Sequence, residues 1–176
     1  MTPFCFEHVF RTAGVADVFA AYFDAEHQRR QDDVLAIASR EVLDLTDGGD
    51  VLVRRCRVVP QRQLPAVVRP FVAGELAYVE TATWRRRDDL IELDIQPSLL
   101  GGRARITGTY KLEQRGADAV HRRYAGEVRV DLPLIAGRVE RGIAAEFAAG
   151  VPKAAAVTQH WLDCLIPRVS SGIISA

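Results

Sequence analysis

The sequence carries no surplus of either charge: Lys and Arg total 23, Asp and Glu total 23, and the formal net charge is +0. That balance argues against a dedicated nucleic-acid binder, which needs excess positive charge to displace counterions from phosphates. Lysine is nearly absent, with only Lys111 and Lys153, so arginine supplies almost all the positive charge. Cysteine is scarce and odd in number: Cys5, Cys56 and Cys164 lie far apart in apolar surroundings, as expected of reduced core thiols rather than a disulfide framework. There is no CxxC or HxxxH spacing to chelate zinc. No apolar run reaches the roughly 20 residues needed to span a bilayer. Glu7 and Arg11 interrupt the apolar residues at the start, which therefore do not read as a signal peptide. GxSxG, P-loop and GxGxxG patterns are missing, which removes support for hydrolase, NTPase and dehydrogenase readings. The expectation is a cytoplasmic protein with no metal or cofactor and no stable membrane insertion.

What is present is an ordinary globular composition, 48% hydrophobic and 26% charged over 176 residues, enough for one domain with a sizeable core. That domain is placed over 1–166, with 167–176 as a loose tail. Phe4, Phe6, His8 and Phe10 alternate with Cys5, Glu7, Val9 and Arg11, the period of a strand with one bulky face. Val15, Val18, Phe19 and Tyr22 then fall at helical spacing, and a second short helix is expected over Ala25 to Asp32. Further strands are expected at Val34 to Leu45, Val51 to Val59, Glu75 to Arg86, Leu90 to Ile95, Arg103 to Gln114 and Ala119 to Asp131. Turn chemistry divides them, as at Asp47-Gly48-Gly49-Asp50 and Gly101-Gly102, and Pro60, Pro65 and Pro70 mark a loop. Short links imply an antiparallel meander. After Pro133 the stripe Val139, Ile143, Phe147, Ala154, Val157, Trp161 and Leu165 predicts one long helix, bent near Gly150 and Pro152.

The fold class is therefore α+β, a curved antiparallel sheet of six to seven strands around a long C-terminal helix. A twisted sheet wrapped on one helix does not meet it everywhere, and the gap is where a small-molecule site is expected. The inward phases place Tyr78, Ala82 and Trp84, then Ile91, Leu93 and Ile95, then Ile106, Gly108 and Tyr110, then Val120, Tyr124, Gly126 and Val128 on that gap. Gly108 and Gly126 either mark bulges or leave volume for a ligand. Glu80 and Arg122 intrude on the same phases. If both point inward they pair or meet a polar head group, because a lone buried charge is costly; otherwise strand twist turns one to solvent. Candidate ligand-binding residues are Tyr78, Glu80, Trp84, Leu93, Ile106, Gly108, Tyr110, Arg122, Tyr124, Gly126, Ile143 and Phe147, with no residue assigned a catalytic role.

The order of one strand, two short helices, six strands and a long helix resembles the helix-grip fold of the START-like superfamily. The segments Gly74-Glu75-Leu76-Ala77-Tyr78-Val79-Glu80-Thr81-Ala82-Thr83-Trp84 and Asp131-Leu132-Pro133-Leu134-Ile135-Ala136-Gly137-Arg138-Val139-Glu140 resemble an uncharacterised bacterial branch of it. The Val-Glu-Thr strand and the Glu near the start of the last helix are more distantly similar to PRELI-type phospholipid-transfer domains. The resemblance implies a lipid or other hydrophobic small molecule held under the C-terminal helix, with no activity attached.

Three uses of such a domain follow. The first is non-catalytic binding or transport of that ligand. The second is a polyketide cyclase- or aromatase-like enzyme with Glu80, His8 or Tyr110 as acid or base. The third is a protein-interaction module working through the long helix or the Pro60 to Pro70 loop, with an apolar patch at Leu134, Ile135 and the Ser- and Ile-rich C-terminus. A monomer or homodimer is expected; Arg85-Arg86-Arg87 beside Asp88-Asp89 reads either as a solvated hairpin end or as a transient contact to acidic membrane surfaces, and Arg54, Arg55 and Arg57 read either as the flank of a pocket mouth or as gatekeeper charges on an exposed strand.

Overall fold

Alternation of bulky and polar residues at the start of the chain produces β1 (Thr2–Arg11), whose inward side chains include Phe4 and Phe10, both buried. The computed structural model describes residues 1–61, 76–98 and 102–165; the expected prolines 65 and 70, the turn glycine at 101 and the tail lie outside the described residues. After β1 come α1 (Val15–Phe23), α2 (Ala25–Leu35), β2 (Ile37–Asp47), β3 (Val51–Pro60), β4 (Tyr78–Arg85), β5 (Leu90–Pro97), β6 (Ala104–Gln114), β7 (Ala119–Val130) and α3 (Ala136–Leu165). The strands form one antiparallel sheet in the order β1-β7-β6-β5-β4-β3-β2.

The second helix is longer than expected. Asp24 caps it by accepting the His27 N–H at 2.8 Å. Ala36, with φ of 54°, closes it in the left-handed conformation before the chain turns into β2. The second strand consequently begins at Ile37 rather than at Val34. Among the described residues, register shifts lie between β2 and β3, near Ile37/Ser39 and Val42/Asp44. Pairing of β6 with β7 is continuous through Gly108 and Gly126, so neither glycine marks a bulge.

The long helix runs unbroken through Pro152, which lacks the N–H that would bond to the Ala148 carbonyl. Its contacts concentrate on α2, β1 and β7. The buried face is Val139, Glu140, Ala155, Thr158 and Leu162, so beyond Pro152 it is rotated away from the expected Val157-Trp161-Leu165 stripe. The cause is α2: Trp161 sits half-buried with its ring edge-on to His27 and the Arg30 guanidinium 5.0 Å from its centroid, while Leu165 is exposed. Glu140 fixes the helix start, accepting the Val130 N–H at 3.0 Å and the Thr2 hydroxyl at 3.1 Å. None of the helices among the described residues is long and apolar enough to cross a membrane.

Candidate functional site

Between α3 and the concave face of the sheet lies a cavity of about 390 Å³, within the roughly 300–1,000 Å³ typical of small-molecule sites. Its walls are mostly apolar: Leu93, Ile95 and Ile106 from the sheet face Val139, Ile143 and Phe147 of α3, and Val18 of α1 closes one side. Val34, Glu146, Ala149 and Lys153 line it and are exposed, which places the mouth between the end of α2 and the middle of α3. Gly150 permits that approach of helices, since a Cβ there would come within 3.2 Å of Leu35.

The polar groups of the cavity fall into three sets. All four tyrosines of the chain, Tyr22, Tyr78, Tyr110 and Tyr124, line it. Burial pushes the phenols of Tyr22, Tyr78 and Tyr124 above their ordinary range, and the Glu80 charge adds to the effect, so each is a neutral donor at pH 7. Arg40 holds a second set. Its guanidinium meets the Asp32 carboxylate at 3.0 Å and Glu80 Oε1 at 3.3 Å, all three side chains being at most 15% exposed. Burial opposes the charge on Arg40, but the two carboxylates outweigh it and hold the group protonated. The third set joins α2 to α3: the Thr158 hydroxyl donates to the Ala154 carbonyl and accepts from Gln31, so His27 Nε2, 3.1 Å from Thr158 Oγ1, is the donor of that contact. His27 is buried, and burial lowers its pKa.

Arg122 stands apart from these. It is 4% exposed and lines the cavity, with its guanidinium 5.3 Å from the Phe10 ring centroid and 5.4 Å from that of Tyr110. Its Nε is shielded and has no hydrogen-bond partner among the described residues.

Of the residues singled out from sequence, Tyr78, Glu80, Leu93, Ile106, Tyr110, Arg122, Tyr124, Ile143 and Phe147 line the cavity. Three do not. Trp84 stacks on Phe19 and Phe23, because α1 covers that end of β4. Gly108 and Gly126 sit opposite each other, and the space beside them is taken by neighbouring backbone, Tyr124 and Phe4, not by the cavity. Glu80 and Arg122 both point inward, yet Glu80 pairs with Arg40 rather than with Arg122. The thiol expectation also changes: Cys56 is buried, whereas Cys5 and Cys164 are exposed. Of the two readings of Arg54, the exposed strand does not hold: it is 6% exposed and donates to the Tyr22 carbonyl and to Gln28. The Arg85-Arg86-Arg87 run is matched by Glu92, Asp47 and Asp50 respectively.

Sequence reasoning passed over Tyr22, His27, Gln31, Arg40 and Thr158. Their signal was the i, i+4 spacing of His27 and Gln31, a polar face that hydropathy alone assigns to solvent.

Comparison with solved structures shows the START-like fold. A protein from Thermus thermophilus matches with a TM-score of 0.65 and 13% identity, covering 93% of this chain and 99% of that one. A START superfamily protein from Mycobacterium smegmatis matches at 0.63 and 12% identity over 94% and 99% of the two chains. Zhui aromatase/cyclase from a Streptomyces species matches at 0.60 and 10% identity over 97% and 99%. No match was found among curated proteins. Residues 7–162 match the family described as "Protein of unknown function (DUF2505)", and the chain belongs to that family.

Proposed function

We propose that this domain binds a largely apolar small molecule in the cavity beneath α3 and does not convert it. The observation that carries the reading is the cavity itself, about 390 Å³ with predominantly aliphatic and aromatic walls and a mouth between two helices. Burial of an apolar ligand contributes about 25 cal/mol per Å², which brings micromolar binding within reach after association costs. The fold supports it too, since a START superfamily protein shares it.

The similarity to an aromatase/cyclase keeps an enzyme reading as a rival, but the groups do not favour it. Glu80 is held by Arg40, and His8 packs against Phe10 outside the cavity lining. The buried phenols have pKa values pushed away from neutrality, which makes them hydrogen-bond donors rather than bases.

The test uses N-phenyl-1-naphthylamine, a neutral dye that brightens in apolar surroundings. The purified full chain is expected to take up one molecule, seen as saturable fluorescence and as a one-to-one complex by native mass spectrometry. Absence of saturable uptake, for this dye and for a total lipid extract alike, overturns the proposal.

A further inference from the structure

Arg122 carries information about the ligand that the apolar walls do not. Among the described residues it has no ion pair and no hydrogen bond, although it is almost wholly shielded from solvent and faces the cavity. The other inward arginines differ: Arg40 is matched by Asp32 and Glu80, and Arg54 donates to a carbonyl and an amide oxygen. The rings of Phe10 and Tyr110 offset part of the cost of burying the guanidinium, but they leave its in-plane N–H donors without acceptors. Tyr22, Tyr110 and Tyr124 line the same cavity, and among the described residues their hydroxyls have no hydrogen-bond partner either. A fork of donors from Arg122 and several tyrosine hydroxyls therefore face one cavity.

We propose that the ligand is an apolar monocarboxylate whose carboxylate is held by Arg122 and by the surrounding tyrosine hydroxyls. The inference rests on the binding reading above and names the chemical class of its ligand. The planar guanidinium fork matches the two oxygens of a carboxylate. Among the described lining residues Arg122 is the one buried unmatched cation, Lys153 being exposed at the mouth, and one buried cation suits one negative charge; Glu80, on the wall of the same cavity, repels a second, which disfavours phosphate monoesters. The volume holds a single chain or a small ring system, at the lower end of the range for small-molecule sites.

The experiment compares decanoate with 1-decanol, two ligands of equal chain length differing at the head, by displacement of N-phenyl-1-naphthylamine from the full chain at pH 7.5. Decanoate is expected to bind at least about tenfold more tightly, the size of one charge-assisted hydrogen bond. Arg122→Met is expected to abolish that preference while decanol affinity stays within about twofold, and Arg122→Lys to keep part of it. The wild-type comparison stands even if a variant fails to fold. Equal affinity of wild type for acid and alcohol overturns the carboxylate assignment and leaves the binding proposal intact. Preference that survives in Arg122→Met removes Arg122 from the assignment. Failure to bind dye, acid and alcohol alike overturns both proposals.

Discussion

Phe4 packs against the Gly108–Gly126 pair, with its ring stacked on Phe147 at 5.4 Å and edge-on to Tyr124 at 5.1 Å. The two glycines are not equivalent. A Cβ at Gly126 would collide with the Thr107 carbonyl and the Gly108 Cα, both backbone, as well as with Phe4. At Gly108 the nearest atoms are 3.0 and 3.1 Å away, so a small shift relieves the contact. Gly126→Ala is therefore expected to cost about 2–3 kcal/mol in urea unfolding and Gly108→Ala about 1 kcal/mol; equal effects would contradict this packing. Arg122 leads to the opposite expectation. A structural ion pair costs about 3–5 kcal/mol when one partner is removed, but this guanidinium has no partner to leave behind. Arg122→Met is expected to leave the melting temperature of the ligand-free protein unchanged or raise it, and a drop of several degrees would mark Arg122 as structural.

At the scale of elements, the join between α2 and α3 depends on a neutral histidine. His27 donates from Nε2 to Thr158, and burial holds its pKa below the ordinary 6.5. The unfolded chain takes up a proton at a higher pH than the folded one, so the His27 contribution to stability is complete above pH 6.5 and declines as the pH falls below it. His27→Gln is expected to flatten the unfolding free energy between about pH 7 and pH 5 relative to wild type; an unchanged slope would place the titrating group elsewhere. The strands and the long helix were legible because their periods are local: alternation in β1 and turn residues between β2 and β3 act over a few positions. The end of α2 was not, since Val34 and Leu35 are apolar and β-compatible, and the helix continues because Asp24 caps it and α3 packs on it. The rotation of the α3 stripe past Pro152 was hidden for the same reason, because the face that is buried depends on where α2 lies.

For the whole molecule, the sequence disclosed the wall of the cavity but not its furniture. Strand phase alone put Leu93, Ile106, Tyr110, Arg122 and Tyr124 on the inner face, and that is where they lie. The partner of Glu80 was out of reach because Arg40 comes from β2, the edge strand two places from β4, and the pairing spans β3, which strand phase alone does not reveal. Trp84 failed as a lining residue because inward does not mean toward the cavity once α1 covers part of the same face. A cavity left open forgoes packing that a core would otherwise gain, so filling it should separate stability from binding. Ile143 lines the cavity from α3, whereas Val9 is exposed on the outer face of β1. Ile143→Trp is expected to keep or raise stability by up to about 1 kcal/mol while weakening dye and decanoate binding at least about tenfold. Val9→Trp, adding the same ring outside, should leave binding unaltered. Undiminished binding by a folded Ile143→Trp variant would mean that the ligand does not enter the space beneath the helix, whatever that space looks like.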